Sequence, residues 1–287
     1  MNEQSDRAAE QRAILAKIDT IRDLPTIPHV LLEINKMLLD PDVSIKKLKE
    51  VIEKDQAITA KILKLVNSSF YGSRSNIVDI SQALVILGFA MVRNSIATVA
   101  VIDIFRTKQR YDNFDIRDLW KHSIAVATTS RYMAEKSRMA SPHDCFVAGL
   151  LHDIGKLIME EHLRDFFVQV LKLQKEEGLS FIAAEDKLLP INHAILGGHL
   201  VRNWRFPGHL VDAIEHHHEI AREAADFRLN ACIFAANILV NHQFRESGYE
   251  EILKDYPEFS SLMSQLGDIA EWRQSLEGEI EQLCQAF

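Results

Sequence analysis

The sequence predicts an all-α protein. Three observations carry that reading: only 11 glycines and 7 prolines interrupt the 287 residues, apolar residues recur at intervals of three and four, and no convincing strand pattern stands out. Hydrophobic residues make up 47% of the chain and charged residues 26%, which is a globular balance with enough apolar material for one large core or two smaller ones.

The elements follow in order. Residues 1–20 are polar and read as a frayed or solvent-facing helix or tail. "LPTIPHV" makes a proline-punctuated entry to the first lobe, with Pro28 suited to the first turn of the next helix. "DPDVSIKKLKEVIEKDQAITAKILKLVNSSFYG" reads as two short helices and a turn, with Ser44 as an N-cap and Gly72 closing the run. A further pair of helices reaches about Thr107. The polar connection "RTKQRYDNFD", residues 106–115, sets the boundary between an N-terminal lobe, 21–107, and a C-terminal lobe, 108–242. Residues 243–287 are a helical tail expected to pack on the core without contributing chemistry.

Composition narrows the function classes. A net charge of -8, from 41 acidic and 33 basic side chains, argues against a protein that holds nucleic acid by neutralising phosphates. The locally basic "KKLKEVIEK" reads as a solvated helix face. Cys145, Cys232 and Cys284 are far apart and form no CxxC spacing, so free buried thiols and a cytoplasmic setting are expected. The opening "MNEQSDRAAEQRA" lacks the cationic and then apolar profile of a signal peptide. The apolar runs "ALVILGFAMV" and "ACIFAANILV" are about half a bilayer span and read as buried helices rather than membrane segments.

Histidines and carboxylates gather in the second lobe. In "SPHDCFVAGLLHDIGK", Ser141, Pro142 and Asp144 supply an N-cap, an N1 proline and an N3 acid, and the helix they start is expected to run through the His152-Asp153 doublet. Val147, Leu150, Leu151, Ile154 and Ile158 form its apolar stripe, which leaves Gly149, His152, Asp153 and Lys156 on the polar face. Taken alone, that face needs no function. Asp118 and His122 lie four apart, with His122 aimed inward beside Leu119, Val126 and Met133. Two readings stay open there: a ligand pair, or an N3 acid behind an Asp115 N-cap with a hydrogen-bonded core imidazole.

Leu210, Ile214, His217 and His218 follow i, i+4, i+7 and i+8, so the last two histidines continue the buried stripe while His216 points outward. Burying two imidazoles unpaired would cost about 1–3 kcal/mol each, and a shared cation removes that cost. His193 is a weaker candidate on its own, although the Gly197-Gly198 pair would let its helix approach a neighbour closely. A set rich in imidazole and carboxylate, without cysteine, suits iron, manganese, zinc or a mixed pair of divalent ions. Two ions together would bind the attacking and leaving oxygens of a phosphoester, with Lys156 placed to neutralise a phosphate oxygen. By itself Lys156 reads as a solvated lysine.

These residues resemble the HD superfamily of helical metal-dependent phosphohydrolases, and more closely its HDOD branch, the HD-related output domain of bacterial signalling proteins. The resemblance covers roughly residues 21–242. "LPTIPHVLLEINKML", "DQAITAKILKLVNSSFYG" and "ISQALVILG" are similar to the branch's own signatures. It implies a two-lobed helical HD-domain or phosphodiesterase-like fold. Carried over residue by residue, it makes Asp118 and His122 the first acid and histidine, His152 and Asp153 the HD doublet, and Lys156 the family's lysine. His193 with Gly197 becomes the H-x-x-x-G element, and His217 and His218 the paired histidines before an acid, here Glu219. The metal set so implied is Asp118, His122, His152, Asp153, His193, His217, His218 and Asn237, with Asp153 and Lys156 as the catalytic pair.

Asn237 stands where the family carries its last aspartate ligand. An amide oxygen can coordinate, but it adds no negative charge and should hold an ion less tightly. No Gly-Tyr-Pro follows Glu219, which disfavours hydrolysis of cyclic di-GMP. The function expected first is a signalling module acting through unnamed protein partners around a largely retained metal site; the alternative is an active phosphohydrolase on a nucleotide or other phosphoester.

Overall fold

The structure, a computed structural model, describes residues 3–21, 27–38, 42–67, 77–107, 114–220, 226–243 and 269–286 and the single positions 24, 40, 264 and 266. Among these residues every regular element is an α-helix and no β-strand occurs. The expected role of Gly72, the centre of the 106–115 connection and residues 244–263 of the tail lie outside the described residues. The chain divides into two compact units, one of residues 26–117 with 204–206, the other of residues 1–25, 118–203 and 207–286.

The first unit holds α2 (His29–Met37), α3 (Ile45–Glu53), α4 (Gln56–Val66) and α5 (Ile80–Thr107). Pro28 stands at the N-cap of α2, one place before the first turn. Ser44 caps α3 by accepting from Lys47 N, and Asp55 caps α4 by accepting from Ile58 N. Each helix buries one stripe, such as Leu48, Val51 and Ile52 or Ile58, Ile62 and Leu65, as amphipathic helices around one core must. Asn35, buried in α2, donates from Nδ2 to the Trp204 carbonyl at 3.1 Å, which ties residues 204–206 to this unit. Within α5, Gly88 has φ 80° and ψ 169°, so the segment is two helices joined at a kink. The window Ile80–Ile102 is long and apolar enough to cross a membrane, but 61% of it is buried inside the protein, and the kink interrupts it.

The second unit carries α1 (Glu3–Asp19), α6 (Ile116–Ser137, from Asp118 onward), α7 (Pro142–Leu151), α8 (Gly155–His162), α9 (Arg164–Glu177), α10 (Phe181–Leu188), α11 (His193–Asn203), α12 (Gly208–Glu215), α13 (Phe227–Asn241) and α14 (Ile269–Ala286). α1 is polar and held mainly at its ends: Arg7 donates to the carbonyls of Asp186 and Leu189, and Asp19 accepts from His199 and Asn203. α14 packs through Trp272, stacked on Tyr132 at 5.4 Å, and through Glu279, which takes Arg131 at 2.7 Å.

One expectation needs correction. Ser141, Pro142 and Asp144 do start α7, with Ser141 accepting from Asp144 N. The helix nevertheless ends at Leu151, and a turn over 152–154 separates it from α8. Ile154 N bonds to Leu151 O, Lys156 N to Asp153 O and Leu157 N to Ile154 O, a tighter i→i−3 pattern that breaks the 3.6-residue spacing. The doublet therefore does not lie on a solvated face, since His152 is 0% and Asp153 1% exposed.

Glycine makes that burial available. A Cβ on Gly149 would lie 2.7 Å from Ala127 Cα in α6, and one on Gly155 would lie 1.9 Å from the His193 carbonyl oxygen and 2.8 Å from Gly197 N. The α7–α8 turn thus meets α6 and α11 backbone against backbone.

Candidate metal centre

Four segments bring polar groups together at the α7–α8 turn. His122 comes from α6, His152 and Asp153 from the turn, His193 from the start of α11, and His217 and His218 from the residues after α12. Two groups result, His122–His152–Asp153 and Asp153–His193–His217–His218, each with its candidate ligand atoms within 4.8 Å of one another. Asp153 belongs to both. Its Oδ1 lies 3.1 Å from His193 Nε2 and 3.6 Å from His217 Nε2, and its Oδ2 lies 3.4 Å from His152 Nε2 and 3.6 Å from His122 Nε2.

The ring tautomers decide what this arrangement holds. His152 Nδ1 is 2.7 Å from the Gly149 carbonyl, and His217 Nδ1 is 2.7 Å from the Ile214 carbonyl. A carbonyl only accepts, so both rings donate from Nδ1 and turn the Nε2 lone pair inward. His193 Nδ1 meets Glu185 Oε2 at 2.6 Å. The inward nitrogens crowd: His122 and His152 Nε2 are 3.2 Å apart, His193 and His217 Nε2 3.3 Å, and His218 and His193 Nε2 2.8 Å. Asp153 Oδ1, fully buried, makes no hydrogen bond of acceptable geometry. Converging lone pairs around an orphaned carboxylate oxygen are the donor set of a cation, and imidazole with carboxylate fits a divalent transition metal.

Not every residue expected here takes part. Asp118 is exposed in the first turn of α6 and is absent from both groups. It occupies the N3 position behind Asp115, whose Oδ1 accepts from Arg117 N, a placement that the helix dipole favours without a metal. Glu219 is exposed. Asn237, 4% exposed, lines the adjoining cavity, where its Oδ1 accepts from Asn241 Nδ2 at 3.0 Å. Lys156 places Nζ 2.6 Å from Asp153 Oδ2 and 4.9 Å from the centre of the Phe181 ring. Gly197 lies against the turn, with Gly155 N 3.4 Å from the place of its absent Cβ. α12 ends at Glu215, so His217 and His218 reach inward from a turn rather than along a continuing helix.

The HDOD family model matches residues 24–220, a span that takes in the first unit, part of the second and all six residues of the two groups. The chain belongs to the HDOD family. An HDOD domain protein of unknown function from Geobacter sulfurreducens has the same fold, with a TM-score of 0.72 and 28% identity over 96% of this chain and 98% of that one. A candidate phosphohydrolase from Shewanella amazonensis SB2B has a TM-score of 0.67 with 22% identity over 93% of both chains, and at that identity the likeness shows the fold alone. An uncharacterised protein of Treponema pallidum (strain Nichols) is 26% identical over 249 residues, 86% of this chain and 48% of that protein. This HDOD chain therefore spans about half the length of that relative.

Glu185 is the site residue that sequence reasoning missed. It is 0% exposed, and it accepts from both the backbone N (2.9 Å) and Nδ1 of His193. In "FIAAEDKL" it reads as one more acid on a helix's polar face; only its place eight residues before His193 hinted otherwise. A carboxylate behind a metal-facing imidazole fixes its orientation and raises its basicity. Glu185→Gln is expected to lower metal affinity by about 10–100-fold with the fold retained, as metal titration with far-UV circular dichroism on the same samples would show.

Electrostatics support cation binding at neutral pH. Burial pushes His122 and His217 down to about 3 and holds His218 well below the ordinary imidazole value, so these rings are neutral and available as ligands. The contacts of His122 and His217 with Asp153 are accordingly not ion pairs in the protein at pH 7. Burial alone would raise the Asp153 carboxyl, but the neighbouring His152, Lys156 and His193 hold it well below the carboxylate range. Burial would likewise lower His193, yet Glu185 and Asp153 overcome this and raise it.

The pH dependence follows. Where a folded pKa is lowered, the unfolded chain takes up the proton first, so stability declines as pH falls below about 6.5, by up to ~1.4 kcal/mol per unit for each such ring. His193 acts oppositely, stabilising below its unfolded value and losing that contribution as pH rises through its raised folded one. Four rings lowered by burial, His143 outside the site among them, against one raised ring give net acid lability. The melting temperature of metal-free protein should drop steadily from pH 7 to pH 5, and a flat profile would contradict the burial of these rings.

Proposed function

We propose that this HDOD protein is a metal-dependent phosphohydrolase acting on a phosphoester of modest size. The observation that carries the reading is a cavity of about 620 Å³ beside the metal centre. His122, His217 and His218 form part of its wall, Lys156 adds a cation, and among the described residues its lining contains no carboxylate. A wall whose described residues include one cation and no anion suits an anionic ligand. The His122–His152–Asp153 group supplies three ligands, which leaves coordination positions open, as at catalytic rather than structural sites. A divalent ion held there would supply Lewis acidity toward a phosphoryl oxygen and toward water.

The chain's own groups divide the remaining work. Asp153 carries the fixed negative charge between the two ligand groups, Glu185 orients His193, and Lys156 keeps its remaining donors for a substrate oxygen while Asp153 holds it in place. Phe181, Ile182 and Phe234 give the cavity wall an apolar part. The likeness to a candidate phosphohydrolase agrees with this reading at the level of the fold.

The test is turnover by metal-reconstituted protein on a generic phosphodiester, nucleotides and cyclic dinucleotides. Metal-dependent hydrolysis of at least one class is expected; silence across that panel, with the metal bound, would overturn the proposal. A second reading, a signalling module that works through protein partners, is favoured by Asn237 in place of a charged ligand. Under that reading Asp153→Ala leaves partner binding intact and no substrate of the panel turns over.

A further inference from the structure

Asn237 sits on α13 at the cavity wall shared with Lys156 and His122. Its orientation is set within its own helix, since Oδ1 accepts from Nδ2 of Asn241 four residues on, at 3.0 Å. Among the described residues Asn237 Nδ2 donates to no protein group. An amide nitrogen carries two N–H donors and no lone pair suited to a cation. Held this way, the side chain offers the cavity donors, while its oxygen is engaged by Asn241.

We propose that Asn237 is a substrate-binding residue that donates from Nδ2 to a phosphoryl oxygen, and that it is not a metal ligand. The inference rests on the phosphoester reading above. It also gives the amide a physical reason. With Asp153, Glu185 and the imidazoles already serving the cation, a further carboxylate at the cavity wall would repel an incoming phosphate, whereas an amide attracts it. Lys156 and Asn237 would then grip the anion with a charged and a neutral donor.

Inorganic phosphate, titrated calorimetrically into manganese-loaded full-length protein, is the probe, with metal content measured on the same samples. Asn237→Ala should weaken phosphate binding about 10-fold or more while metal content equals that of the wild type. Asn237→Asp should weaken it further and still hold the metal, and Asn241→Ala, which frees the amide, should show an intermediate loss. If Asn237→Ala fails to fold, the aspartate and Asn241 variants carry the same test. Loss of metal from Asn237→Ala, or unchanged phosphate affinity in all three variants, overturns the inference alone. A wild-type protein that holds manganese but neither binds phosphate nor hydrolyses any ester overturns both it and the proposed function.

Discussion

Asp153→Asn is expected to abolish high-affinity metal binding, lowering affinity by at least about 100-fold. Loss of an outer partner of a metal ligand costs 10–100-fold by itself, and Asp153 is common to both ligand groups. The substitution keeps the shape and removes the charge. It also sets an amide, half of it a donor, where Oδ2 now meets Lys156 Nζ at 2.6 Å, so an ammonium loses its counter-charge as the cation loses its ligand. Metal analysis after dialysis against a weak chelator would show the wild type loaded and the variant stripped. Equal metal content in the two would remove Asp153 from the centre of the site.

Gly155→Ala is expected to produce the largest loss of stability. Its Cβ would fall 1.9 Å from the His193 carbonyl oxygen and 2.8 Å from Gly197 N. Both are backbone atoms, which cannot swing aside as a side-chain tip can. Overpacking of this kind costs about 3 kcal/mol or more, or roughly 6 °C or more in melting temperature. His193 would move with α11, so metal affinity should fall as well. Gly278→Ala is the control: a Cβ there meets nothing within 4 Å, and alanine's better helix propensity predicts no loss. Equal melting temperatures for the two variants would show that α8 and α11 can separate at little cost.

Much of this was legible in the sequence, and the limits have physical causes. Helix starts were readable where a polar side chain caps them, as at Ser44 and Ser141. The inward direction of His217 and His218 also emerged from spacing, although the helix assumed to continue through them stops at Glu215. The HD doublet was the harder case. Helical periodicity puts it on a polar face, and only a break in the helix, closed down by Gly155 against α11, turns it into the interior. Periodicity cannot report a contact between segments some 40 residues apart. Glu185 and Asp118 are mirror cases for the same reason: one acid on an apparently polar face is buried behind His193, while the other stays in water at a helix start. Which of two similar carboxylates is enclosed depends on the neighbouring helices.

His152 and His217 each reach back three residues, to Gly149 and Ile214, and so bond to carbonyls in the closing turns of α7 and α12. Main-chain electron density at the carboxyl ends of two helices thus backs both rings, enriching the inward nitrogens and making them stronger bases toward an ion. Fraying of either final turn would weaken the grip on the ion with every histidine still in the sequence.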